Sequence, residues 1–399
     1  MSLKKRIGMV LDDRFPPDPR VENESLCLLN AGYEVCLIVL NAQRKNTNHQ
    51  INPELQVVYA GLPRWISKKL SALAYTIPLY HFFLVRRIKR FIEEFQVDFI
   101  HVHDLRIARA AFQANKTFRL PIILDLHENR PEIMKHYAHV TSFLGRLLIN
   151  TNTWAHFEEK YIRESDRSIV VTNEAKDHYV RQWRIEATKI HVVPNTIDYS
   201  FMRDAFQVSP PQSKTTFIYI GDTSERRGLM DVVNAFQFIP REMWAHIEVK
   251  ILGTSSFQKQ LAQELVTRGL DNIIKLLGWK AYDGIHEELG NSHVGICPLR
   301  RNIHHDTTYA NKLFQYMAYG LPLLVSNCDS QANLTKLNKC GKVHTAEDPM
   351  EIASAMIWFV QNPNELHLMG RNSFDAVREK YTIDGVESAL SNLYQSIQN

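Results

Sequence analysis

The sequence predicts an α/β protein made of two doubly wound domains in tandem, and three observations carry that expectation. Short runs rich in Val, Ile and Leu recur, each followed by a stretch of helical periodicity, which is the alternation of parallel βαβ units. The alternation runs through the chain twice, with a polar, proline-marked joint at Pro210-Pro211-Gln212-Ser213 between the two series. A chain of 399 residues has the length for two domains, at roughly 100–200 residues apiece.

The first series offers strands at Ile7–Leu11, Glu34–Leu40, Leu55–Ala60, Phe99–His103, Ile122–Leu126, Ser168–Val171 and Ile190–Val193. They are apolar on both faces, as strands covered by helices on either side must be. Between them the periodicity predicts helices over Val21–Ala31, Lys68–Phe95, Arg106–Asn115, Leu144–Glu164 and Glu174–Trp183. The second series places strands at Thr216–Ile220, Ile247–Leu252, Ile273–Leu277, Val294–Cys297 and Leu323–Ser326, and helices near Leu229–Phe238, Phe257–Arg268, Ala281–Leu289 and Lys312–Tyr319. Three of these strands run into glycine (Gly221, Gly253, Gly278), which allows tight turns and close approach of a ligand to the backbone. From Pro349 onward the pattern is helical to the end.

Hydrophobic residues make up 45% of the chain and charged residues 23%, a composition that excludes collagen, coiled coil and wholesale disorder. The opening Met1-Ser2-Leu3-Lys4-Lys5-Arg6 is followed by too few apolar positions for a signal peptide, and no stretch approaches the ~18 apolar residues of a membrane-spanning helix. The five cysteines are dispersed and form no Cys-x-x-Cys pair, so neither a disulfide framework nor a structural zinc site is expected. The cytoplasm is the expected location. Net charge is +4, and it is unevenly placed: residues 1–200 hold 28 Lys+Arg against 22 Asp+Glu. The density peaks in Gly61–Phe95, where Arg64, Lys68, Lys69, Arg86, Arg87, Lys89 and Arg90 interleave with Trp65, Ile66, Leu70, Leu73, Tyr75, Ile77, Leu79, Phe82, Phe83 and Leu84, and Pro78 divides the stretch. Such a segment binds an anionic membrane surface at the inner leaflet, or is an ordinary helix with its apolar stripe on the sheet and its charges in water.

Ligands of doubly wound folds bind at the carboxyl ends of the strands. There the first domain delivers Asp12-Asp13, His103-Asp104 and His127-Glu128. Strand alternation puts His101 on the face of His103, one step deeper. A His₂-carboxylate metal site is one reading of these residues, but no helical His-x-x-x-His spacing supports it, and no metal is expected. In the second domain Gly221-Asp222-Thr223-Ser224-Glu225-Arg226-Arg227-Gly228 leads from a strand into a helix, a plausible anion site because free N–H groups and the helix dipole favour phosphate. A second candidate is Asn311-Lys312-Leu313-Phe314-Gln315-Tyr316-Met317-Ala318-Tyr319-Gly320-Leu321-Pro322, a short helix with a glycine stop that feeds a buried strand.

These fragments carry a resemblance. Ile-Tyr-Ile-Gly221-Asp-Thr-Ser-Glu-Arg-Arg227-Gly resembles the basic loop of the retaining glycosyltransferases of family 4, and Asn311-Lys312-Leu-Phe-Gln315-Tyr-Met their Glu-containing donor motif. Asp18-Pro19-Arg20-Val21 is similar to their opening helix, Val-Val-Pro-Asn195-Thr-Ile-Asp198 to their interdomain signature, and Leu-Leu-Gly278-Trp279 to their nucleobase-facing turn. The resemblance implies the GT-B architecture: two Rossmann-like domains facing a central cleft. Residues 1–198 would bind the acceptor, joined by a C-terminal helix at about 383–399, and residues 199–382 the nucleotide-sugar.

By the same resemblance His127, and secondarily His103, are the catalytic candidates. Gly221, Arg227, Gly278, Trp279, Thr307, Asn311, Lys312 and Gln315 would bind the donor, and Asp18 and Arg20 lie on the acceptor side. The chain departs from the family pattern at Asp222, where the family carries Arg, and at Gln315 and Thr307, where it carries Glu. The expected activity is metal-independent transfer of a sugar from a nucleoside diphosphate to a glycan or lipid-linked acceptor, with retention, no cofactor and no nucleic-acid partner. A non-catalytic partner subunit and a sugar-nucleotide 2-epimerase are the alternatives.

Overall fold

The computed structural model describes residues 4–41, 52–62, 79–135, 140, 150–197, 199–206, 211 and 213–398. The chain forms two compact units, one of Met1–Thr196 with Val386–Asn399, the other of Ile197–Gly385.

Among the described residues the first unit holds a seven-stranded sheet: β1 (Arg6–Leu11), β2 (Glu34–Asn41), β3 (Gln56–Leu62), β4 (Phe99–His103), β5 (Ile122–Leu126), β6 (Arg167–Val170) and β7 (Ile190–Val192). All are parallel, in the order β3-β2-β1-β4-β5-β6-β7. Every residue of β4 and β5 is buried, because helices cover both faces. Val10, Ile38, Leu84, Ile88, Val102 and Leu124 belong to the resulting core.

The second unit repeats the plan with six strands: β8 (Thr215–Ile220), β9 (Ile247–Leu252), β10 (Ile274–Gly278), β11 (Val294–Cys297), β12 (Leu323–Ser326) and β13 (Gly341–His344), in the order β10-β9-β8-β11-β12-β13. Both sheets are thus parallel and doubly wound, as the sequence predicts. Strand β13 and the helix Asp329–Leu337 are additions to the expected elements. Gly341-Lys342-Val343-His344 is four residues at the sheet's edge, too short and polar to carry an apolar run.

The predicted helix over Lys68–Phe95 is observed as Leu79–Phe95, and residues 63–78 lie outside the described part. The prediction at Leu144–Glu164 is observed as Thr151–Glu164, with 144–149 likewise outside. Among the described residues no helix is long and apolar enough to cross a membrane.

Where strand order reverses, crossover connections leave in opposite directions and open a crevice at the strands' carboxyl ends. In the first sheet that point lies between β1 and β4, in the second between β8 and β11.

Candidate functional site

At the first crevice, register does the assembling. His103 pairs with Asp125 across β4 and β5, and Met9 of β1 pairs with His101. Side chains two apart share a face, so His101 and His103, and Asp125 and His127, converge on one side of the sheet. Asp125 is the hub. Its Oδ2 lies 2.8 Å from His127 Nε2 and 3.2 Å from His103 Nδ1, and the His101 and His103 rings stack with centroids 4.5 Å apart.

The helix Pro19–Asn30 supplies the counter-charge. Asp18 caps it, its carboxylate accepting from the Val21 N–H, and Pro19 sits where a missing N–H costs nothing. This start aims Arg20 inward, where Nε and Nη2 donate to Asp125 at 3.0 and 2.7 Å and Nη1 donates to Asn195 and to the Val193 carbonyl. One turn on, Glu24 meets Arg20 at 2.9 Å and His101 at 3.4 Å. Ligand atoms of Glu24, His101, His103 and Asp125 all lie within 4.8 Å of one another. Arg20 already delivers a fixed positive charge to both carboxylates, so the cluster is balanced by a guanidinium.

The charges follow from this packing. Burial alone would raise the Asp125 carboxyl, but Arg20 and then His127 hold it well below the usual range. Burial alone would lower His127; the Asp125 charge and hydrogen bond outweigh it and raise the imidazole to about 9. His103, buried and beside His101, is pushed down to about 3. One sheet edge therefore presents a charged imidazole at its rim and a neutral one beneath it. Asp104, which follows β4 with φ of 75°, accepts from the Leu105 N–H and pairs with Arg130 at 3.3 Å. A non-glycine residue in that region is strained, a feature common at working sites.

In the second unit the helix Lys312–Ala318 is seated by Tyr316. Gly295 of β11 makes this possible, because a Cβ there would lie 2.2 Å from the Tyr316 ring. The phenol oxygen accepts from the Ile220 N–H at 2.9 Å, bridging β11 and β8 at their reversal point. Lys312, one turn earlier on the same face, then lies at the carboxyl end of β8. Its Nζ is 3.6 Å from the Tyr219 ring centroid, faces Gly221, and has no hydrogen-bond partner among the described residues. Burial lowers this ammonium to about 7.

The neighbouring loop turns at Gly228, with φ of 72° and no room for a Cβ beside the Pro298 carbonyl. It brings Arg227 Nε to 3.3 Å from Asp222, whose carboxylate also accepts from the Ser224 N–H and hydroxyl. Burial would raise Asp222; the Ser224 hydroxyl and Arg227 hold it down. Asp222 thus occupies, as a carboxylate, ground between Arg227 and Arg226.

The other expected donor residues surround this point unevenly. Gly278 ends β10 and accepts from the Gly253 N–H at 2.7 Å, and Trp279 beyond it is 76% exposed. Asn311 precedes the Lys312 helix, and Gln315 is half-buried on it. Thr307 turns its hydroxyl back to the Ile303 carbonyl at 2.7 Å. Asp125 and Glu24 were not among the expected site residues. Asp125 was detectable, as a lone carboxylate inside an apolar strand and two residues before His127 on the same face; Glu24 enters only through tertiary packing.

Residues 20–201 match the family model described as Glycosyltransferase Family 4, and residues 214–362 the one described as Glycosyl transferases group 1. The chain therefore carries glycosyltransferase domains of both types, on a fold with GT-B glycosyltransferases as its structural neighbours. A phosphatidyl-myo-inositol mannosyltransferase of Mycobacterium leprae is 22% identical over 306 residues, 76% of this chain and 71% of that protein. Sucrose-phosphate synthase from Thermosynechococcus elongatus superposes with a TM-score of 0.75 at 15% identity, covering 99% of each chain. Anabaena HepE in complex with UDP superposes with a TM-score of 0.68 at 13% identity, covering 98% of this chain and 100% of that one.

Proposed function

We propose that this protein transfers a sugar from a nucleoside-diphosphate donor to an acceptor hydroxyl, with retention at the anomeric carbon and without a metal ion. The observation that carries the reading is Lys312: a buried ammonium without a hydrogen-bond partner among the described residues, at the carboxyl end of β8 beside a glycine turn. Such a group calls for an anion. As the acceptor oxygen bonds to the anomeric carbon on the face the diphosphate leaves, the bond to the diphosphate breaks with its electron pair on the diphosphate, whose leaving oxygen takes the acceptor hydroxyl's proton, and Lys312 and Arg227 offset the added charge. Gly221, Thr307 and Asn311 line the diphosphate, Gln315 accepts a ribose hydroxyl, and Gly278 with Trp279 meets the base. The UDP seen in the HepE complex makes a nucleoside diphosphate the donor class to test first.

His127 works at the sugar and acceptor hydroxyl. Charged at neutral pH, it donates from Nδ1, which has no hydrogen bond among the described residues, while Nε2 is held by Asp125. His103 supports it from below, Asp18 lines the acceptor side, and Arg20 acts there through Asp125. Residues 1–198 with the final helix form the acceptor domain, and 199–382 the donor domain.

The acceptor is a glycan or a lipid-linked molecule at a membrane surface. Phe82 and Phe83 are 70% and 44% exposed, and with Arg86, Arg87, Lys89 and Arg90 they line one groove. The buried Leu84, Ile88, Phe91 and Ile92 serve the sheet, so the helix meets the core with one stripe and offers aromatic and basic groups on another. Trp65 and Leu73, the other expected contacts, lie outside the described residues.

Thermal-shift titration with UDP, GDP and ADP, followed by incubation of the binding nucleotide's sugars with and without acceptor, tests the reading. A ligand that binds the folded state alone raises the melting temperature with its concentration. Transfer only when acceptor is present is the expected result. No nucleotide binding would identify a non-catalytic subunit, and a donor stereoisomer formed without acceptor would identify an epimerase.

A further inference from the structure

The imidazole cluster does not end at His103. Behind it, His101 Nδ1 lies 2.7 Å from the phenol oxygen of Tyr394, which comes from the terminal helix Ile383–Gln398 and is fully buried. The Tyr394 ring is fixed edge-on against Phe99 and tilted against Tyr33. Burial, then Glu24 and Asp125, hold the phenol far above its ordinary range, so it keeps its proton and donates. A donor at Nδ1 leaves the His101 proton on Nε2. That nitrogen faces Glu24 Oε2 at 3.4 Å and Asp125 Oδ2 at 3.8 Å.

We propose that Tyr394 is a positioning residue for His127: its phenol fixes His101 as the Nε2–H tautomer, and through the shared Asp125 carboxylate it sets how firmly His127 holds its proton. The inference rests on the reading of His127 given above. The groups that face His127 are Asp18, Arg20 and Glu24 from the first helix, His103 and Asp104 from the end of β4, Asp125 and Glu128 on either side, and His101 behind. Only His101 among them has a ring nitrogen whose partner comes from the terminal helix. If Tyr394 is replaced by Phe, packing is kept but the Nδ1 lone pair is buried without a donor. Released from the phenol, the His101 Nε2–H closes on Glu24 and Asp125, and an Asp125 charge shared with it weakens His127's hold on its own proton.

Two measurements decide it. Imidazole ¹⁵N shifts of the wild-type chain, assigned by His101→Asn and His127→Asn, should show His101 as the Nε2–H tautomer; the Nδ1–H form overturns the proposal without any need for Tyr394→Phe to fold. In folded Tyr394→Phe, the His127 titration midpoint should fall by about half a pH unit or more. The alkaline limb of the turnover profile should move with it. A midpoint that stays or rises overturns the proposal. The titration is read with no sugar donor present. A His127 insensitive to Tyr394 in an active transferase therefore defeats this inference alone, and a responsive His127 in a protein without transferase activity defeats the functional reading alone.

Discussion

Burial pushes both Lys312 and His127 downward, and the two differ in what opposes it. Among the described residues Lys312 has no carboxylate on its Nζ, and it is lowered to about 7; His127 has Asp125 and is raised to about 9. A diphosphate that binds beside Lys312 must restore its proton, so binding should take up a proton above pH 7 and weaken as pH rises. Calorimetry of UDP binding in buffers of different ionisation enthalpy checks both. Arg227→Ala should weaken nucleoside-diphosphate binding by about 1.5–3 kcal/mol, the size of a charge-assisted hydrogen bond. His127→Ala should lose about 10²–10⁴-fold in turnover while nucleotide affinity stays within a few-fold. The sign of the stability effect follows from linkage. His127 is raised above its ordinary value of 6.5. Its contribution is complete below pH 6.5 and is lost as pH rises through about 9. The difference in urea midpoint between wild type and His127→Gln should shrink over that window.

At the scale of elements, the helix Lys312–Ala318 delivers its lysine because a glycine on β11 lets an aromatic ring lie against the strand. Gly295→Ala puts a methyl group into the Tyr316 ring, and the helix must shift. Stability should fall by about 1–3 kcal/mol, as for other overpacked sites. Nucleotide affinity should fall with it; urea unfolding and titration of the same samples read the pair. The helix Leu79–Phe95 serves the core and the surface at once. Phe82→Ser with Phe83→Ser should leave melting unchanged and reduce flotation with anionic liposomes at low salt. Equal flotation of the variant would remove this groove from the membrane contact.

For the whole molecule, the last fourteen residues leave the second unit and fold into the first. Val386, Leu390, Leu393 and Tyr394 are buried there, each worth about 1.5–3 kcal/mol. A chain cut after Gly385 should lose the cooperative melting of the first unit while near-wild-type binding of nucleoside diphosphate persists, a combination that differential scanning calorimetry with and without UDP detects.

Both parallel sheets were legible in the sequence because a strand buried on two faces must be apolar throughout, and such runs are conspicuous between helices. β13 was not, since an edge strand needs no such run. His103 and His127 were legible as polar residues at strand ends. Asp125 was overlooked inside Ile-Ile-Leu-Asp-Leu although period two already put it on the face of His127. The sequence alone also determined that Lys312 follows a loop at a helix start and that Asp222 stands where a basic residue was expected. Only the tertiary structure decided the charges: that Arg20 is spent on Asp125, that Lys312 has no carboxylate at its Nζ among the described residues, and that a tyrosine 293 positions away reaches His101. Periodicity is local and follows from backbone geometry, whereas proton affinity depends on which charges packing brings within a few ångströms, and residues that meet from distant parts of the chain leave no periodic trace in it.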